Sequence, residues 1–123
     1  MKMQADVNAS LNTVTGYGEG YVEINRRRFA HALILQPEGE VLAWAAASFE
    51  ALAAEHFDAL LAHTPDLVIL GTGERHRFPH PRLTAALTNA RIGVEVMDTR
   101  AACRTYNILM SEGRRVLAVI LPI

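Results

Sequence analysis

Leu67 to Leu70, in the stretch DLVILGTG, are four consecutive apolar residues followed at once by Gly71. So short a run with no polar face suits a strand covered on both sides, the habit of central strands in parallel or mixed sheets. Two more runs of strand character follow: IGVEVMDT, in which Val94 and Val96 alternate with Glu95 and Met97, and RRVLAVILPI, apolar from Val116 to Leu121. Helical stretches separate them. PRLTAALTNA carries Pro81 at its start, where a missing N–H costs nothing. RAACRTYNILMSEG is closed by Gly113 at the position after the cap. Strand, helix, strand, helix, strand after residue 41 requires crossovers, so at least part of the sheet is expected to be parallel and right-handed in its connections.

The first half reads differently. Residues 1–12 are expected to be a disordered tail and 13–123 a single domain. TGYGEG, with its glycines close together, reads as loop, Tyr21 to Ile24 as a short strand, and NRRR as a charged turn. FAHALILQ and VLAWAA flank PEGE, the pattern of an antiparallel hairpin. In SFEALAAEHFDALLAHT the residues Phe49, Leu52, Ala53, Phe57, Leu60 and Leu61 recur at three- and four-residue steps. That spacing predicts one helix, with Ser48 as N-cap, Glu50 in the first turn and Pro65 as its stop. The predicted fold class is α/β: a mixed, partly parallel sheet with helices packed against it, preceded by an antiparallel portion.

The totals exclude several functions. A formal charge of −1 on 123 residues gives no global field for nucleic acid or an anionic membrane. The basic cluster Arg26 to Arg28 stands alone, with no aromatic platform for RNA. One cysteine makes no internal disulfide, and MKMQADVNAS has no apolar run to act as a secretory signal. The longest apolar region, VLAWAAASFEALAA, is broken by Ser48 and Glu50 and falls short of a membrane span. The expectation is a cytoplasmic protein.

VEVMDTRAACRTYNIL, Val94 to Leu109, holds the cysteine. Asp98 or Thr99 can cap the helix that follows. Cys103 lies between Arg100 and Arg104, which would favour a thiolate, but no histidine is close in sequence to serve as a base. Free cysteines mostly pack as small apolar residues, and a capped helix start is the reading preferred here.

GVEVMDTRAACRTYNILMSEGRRVLAVILP, with PDLVILGTG and Pro79, resembles the family that contains mitochondrial complex I assembly factor three and the adipogenesis-associated protein. The similarity runs over roughly residues 12–122, and its most specific pieces are Gly71-Thr72-Gly73, Asp98-Thr99, Tyr106-Asn107 and Glu112-Gly113. The resemblance implies a three-layer α/β sandwich around a mixed sheet. It implies for the mitochondrial relative a role in assembling a respiratory complex by binding other proteins. It brings no catalytic motif, metal site or cofactor, so no catalytic residue, metal ligand or cofactor is assigned.

Ligands of open α/β sheets bind beyond the carboxyl ends of the strands. If the two strands are parallel neighbours, GTGERHR and MDTR form one rim with Gly71, Gly73, Arg75, Arg77, Asp98, Thr99 and Arg100 as candidate ligand-binding residues. Glycines allow close backbone approach and arginines favour a small anion. The loop is not a Walker loop, because the Gly-Lys-Ser/Thr end is missing. His76 and His80 are separated by Pro79 and do not share a helix face, so they do not form a zinc pair. Trp44 is a core residue or, if exposed, an anchor for a partner. Two readings follow: a non-enzymatic module that binds protein partners such as subunits of a membrane-associated complex, and an enzyme or small-anion binder using the rim.

Overall fold

A computed structural model describes residues 11–123. The chain opens with a three-stranded antiparallel sheet, β1 (Val14–Gly18), β2 (Tyr21–Ile24) and β3 (Arg27–Phe29), paired in that order. A second sheet has the order β5-β4-β8-β6-β7, from β4 (Leu33–Leu35), β5 (Leu42–Ala43), β6 (Leu67–Gly71), β7 (Gly93–Met97) and β8 (Val116–Ile120). β6 is parallel to both β7 and β8, and β4 is antiparallel to β8, so the sheet is mixed.

The apolar runs sit where their composition demands. Every residue of β8 is buried, as are Val68 to Gly71 of β6, because both are inner strands covered on two faces. Alternate side chains feed separate cores. Val116, Ala118, Ile120 and Ile69 pack with Ala102, Cys103, Tyr106 and Met110 and with the small sheet. Leu117, Val119, Val68 and Leu70 pack with Phe57, Leu60, Leu87 and Trp44. The first core lies under α3 (Thr99–Ser111), the second under α1 (Ala54–Asp58) and α2 (Ala85–Asn89). The crossover through α2 steps from β6 to β7; the one through α3 steps back past β6 to β8. Opposite steps put their helices on opposite faces, as a single handedness requires. The result is the expected three-layer α/β sandwich.

α3 also holds the small sheet. Asn107 pairs with the backbone of Val14 like a neighbouring strand: Val14 N donates to Oδ1 and Nδ2 donates to Val14 O, each at 2.9 Å. The Tyr106 hydroxyl donates to Asn12 O at 2.7 Å. Asn12 Nδ2 in turn donates to Gln36 O and Gly39 O. Of the tail expected over 1–12, residues 1–10 lie outside the described residues, while Leu11 and Asn12 join the folded body.

Three local expectations need correction. TGYGEG is not loop throughout, since β1 reaches Gly18 and the Tyr21 ring covers the face that Gly18 leaves bare, a Cβ there falling 2.7 Å from Tyr21 Cε2. Of NRRR only Asn25 and Arg26 turn, at φ 49° and 72°; Arg27 and Arg28 extend into β3. The long helix is broken. Ser48 Oγ accepts from Ala51 N in a local turn, the helix starts only at Ala54, and a 3-10 segment follows over Ala59–His63. The start is set where His56 Nδ1 accepts from Ala53 N at 3.0 Å. Phe49 and Leu52 still pack on the second core, so their spacing reported burial rather than a continuous helix.

Candidate functional site

The loops after β6 and β7 meet. β6 and β7 are adjacent, and the chain leaves them toward opposite faces, which makes their carboxyl ends the switch point of the sheet. Asp98 has extended backbone and its Oδ1 accepts from Ala101 N at 2.9 Å, so it is the N-cap of α3. Thr99 is freed for another task. Its Oγ1 accepts from Gly73 N at 2.8 Å and donates to Leu121 O at 2.6 Å, tying β6's loop, α3 and the end of β8 in one completely buried node. Thr99 N donates to Gly73 O and Thr72 N to Met97 O, both at 2.9 Å. Thr72 Oγ1 binds Arg75 O and accepts from Arg77 N, folding the loop on itself.

The two glycines have steric reasons. A Cβ on Gly71 would lie 3.1 Å from both Ala102 Cβ and Thr99 Oγ1, so α3 packs directly on bare backbone. Gly73 has φ +95°, outside the range of ordinary residues. The crevice at the switch point is thereby filled by the protein's own Thr72, Gly73 and Thr99.

The arginines face outward and two have carboxylate partners that the sequence reading missed. Arg77 Nη1 lies 2.7 Å from Glu50 Oε2, and its guanidinium stacks 4.2 Å from the Phe49 ring centroid. The hydrogen bond from Arg77 holds the Glu50 carboxyl below its usual range. Arg100 Nη1 is 3.6 Å from Glu74 Oε1. Arg75 is exposed, with no side-chain partner among the described residues. Thus the seven candidate residues lie on two adjoining loops, with Gly71, Gly73 and Thr99 buried and Arg75, Arg77, Asp98 and Arg100 at least partly accessible. Glu50 could have been found only by knowing that the predicted helix breaks.

Phe78, in the same loop, is 76% exposed, with its ring 4.5 Å from that of His76. Phenylalanine followed by proline amid polar residues was the available signal. The remaining candidates resolve into structure. Cys103 is completely buried in the core beneath α3, where burial pushes its thiol up to about 12 against a weaker pull from Arg104. His80 Nδ1 accepts from Arg82 N as a helix cap. Trp44 is core, its Nε1 donating to His56 O at 3.2 Å.

Residues 14–121 match the family described as protein of unknown function (DUF498/DUF598). The chain belongs to that family. It is 33% identical over 105 residues to the bovine NADH dehydrogenase [ubiquinone] 1 alpha subcomplex assembly factor 3, covering 84% of this chain and 56% of that protein. The chain therefore spans little more than half the length of that relative. It is 30% identical over 107 residues to the 13 kDa major membrane protein of Francisella tularensis subsp. holarctica, covering 85% of this chain and 86% of the relative. The crystal structure of a Bordetella parapertussis protein superposes with a TM-score of 0.86 at 44% identity, over 93% of this chain and 98% of that one. A Bordetella pertussis protein described as a Mth938-like domain gives 0.79 at 38% identity, over 92% and 87% of the two chains. Among the described residues no helix is long and apolar enough to cross a membrane.

Proposed function

We propose that this protein is a binding module that assists assembly of a membrane-associated respiratory complex through protein contacts, with the rim loop as the contact surface. The observation that carries the reading is Phe78: a large aromatic held in water on a loop whose base is locked by Thr72 and Thr99. Interface cores are enriched in aromatics and arginine, and a pre-ordered loop loses little entropy on docking. Arg75 and Arg77, on the same loop, and Arg100, on the neighbouring one, would supply the polar rim. The relatives named as assembly factors for NADH dehydrogenase supply the kind of partner.

The test is recovery of tagged protein from the solubilised membranes of its host, compared with Phe78→Ser. Respiratory-complex subunits that copurify with the wild type and are lost with the variant support the proposal. Copurification unaffected by the variant moves the contact elsewhere, and none at all removes the assembly reading.

The second reading, a small-anion site or an enzyme at this rim, rests on Arg75, whose exposed guanidinium has no partner among the described residues. Phosphate titration of wild type and the Arg75→Ala, Arg100→Ala double variant separates the two. Binding that the double variant abolishes would favour the anion site.

A further inference from the structure

The opposite end of the parallel strands carries a concavity of about 370 Å³ that the rim does not touch. Val116 and Pro65, at the amino ends of β8 and the approach to β6, line it together with Met110 near the end of α3. Four residue steps of β6 separate this end from the rim, or roughly 13 Å. Its size falls within the range of small-molecule sites.

The polar lining is unequal in sign. Arg114, Arg115 and His63 face it with Gln36, against the single acidic side chain Glu38. Arg115 is fixed in place, its Nη2 donating to Thr64 O at 2.8 Å and to Thr64 Oγ1 at 2.6 Å. Gln36 Nε2 and His63 Nδ1 lie 3.3 Å apart across the wall. The Arg114 guanidinium has no partner among the described residues. Thr64 itself has φ +47°, a conformation that a β-branched residue rarely adopts. Such strain persists only where the surroundings hold it, and it gathers at ligand clamps. The carbonyl end of α3 would repel an anion, but backbone N–H groups of Glu112, Gly113 and Arg114 already cover its last carbonyls.

We propose that this concavity binds a small carboxylic acid with an apolar body, the carboxylate taken by Arg114 beside the fixed Arg115 and the body laid on Leu11 and Pro37, over the buried Met110, Val116 and Pro65. Arginine pairs with carboxylate through two parallel hydrogen bonds, and the apolar walls supply the remaining affinity.

The experiment is a titration of the isotope-labelled full chain with hexanoate, read by amide chemical shifts, with hexanol as the uncharged control. Hexanoate is expected to give saturable shifts at Thr64, Met110, Gly113 and Val116, while hexanol gives weaker ones. Arg114→Gln is expected to raise the hexanoate Kd about tenfold or more. The spectrum of that variant reports its folding directly, since the replaced side chain is exposed. Phe78→Ser is expected to leave the shifts unchanged, which keeps this site separate from the rim. Absence of saturable shifts up to about 10 mM, a range that corresponds to only a few kcal/mol of affinity, would overturn the proposal. So would equal binding of hexanol, or hexanoate binding indifferent to Arg114→Gln.

Discussion

The two ends of the parallel strands are built from the same three-stranded unit and finished in opposite ways. At the carboxyl end, Thr99 joins Gly73 to Leu121 and Thr72 closes its own loop, so the crevice is sealed by hydrogen bonds. At the amino end the strands stop short of the surrounding loops and leave a concavity edged by Arg114 and Arg115. The sealed end is the place where ligands of such sheets ordinarily bind. What it offers instead is a firm platform for Phe78. The difference teaches that topology nominates a site, and that the side chains standing in it decide whether it is a cleft or a surface.

The strongest way to break the comparison is to unseal the closed end. Thr99→Val keeps the shape but leaves the Gly73 N–H and the Leu121 carbonyl buried without their partner. Two such groups are expected to cost about 3 kcal/mol together, seen as a lower urea midpoint, while Thr99→Ser retains most of the stability. Gly71→Ala forces its Cβ against Ala102 and Thr99 and is expected to cost about 1–2 kcal/mol in the same measurement.

Alkaline pH tests the layer beneath. The Cys103 thiol ionises near 9.0 when free and near 12 when folded, because burial disfavours the thiolate. Its contribution to stability is therefore whole below pH 9 and is lost as pH rises from there toward 12, where the unfolded chain ionises first. Cys103→Ala is expected to make the fall with pH shallower. A remainder belongs to Tyr106, whose phenol burial also pushes upward. Iodoacetamide is expected to modify Cys103 only when the protein unfolds. The smallest effect is expected for Glu50→Gln, which breaks an exposed pair with Arg77 and should leave the urea midpoint unchanged.

Much of this was legible in the chain because local chemistry and burial agree there. The apolar runs of β6 and β8, the Asp98 cap and the Gly113 stop each work within a few residues. β1 is hidden because two glycines mask a strand, and the side chains that cover them, Glu23 over Gly16 and Tyr21 over Gly18, belong to the next one. The stretch from Ser48 to Pro65 predicts one helix because burial on a single core imitates a helical period, while the break is set by His56 and Ala53. The candidate rim was legible as a place and not as a structure. Its decisive bond joins Thr99 to Leu121 across 22 residues, and the partner of Arg77 lies 27 residues away in Glu50. Sequence spacing carries no signal at such separations.

The most direct test of the proposed role is quantitative copurification of the tagged chain from solubilised membranes, comparing wild type with Phe78→Ser, with folding of both checked by urea midpoint. Equal midpoints, with respiratory-complex subunits recovered by the wild type and missing from the variant, are the expected result. Equal recovery by both proteins, or recovery by neither, would contradict the assignment of the rim loop as the surface through which this protein acts.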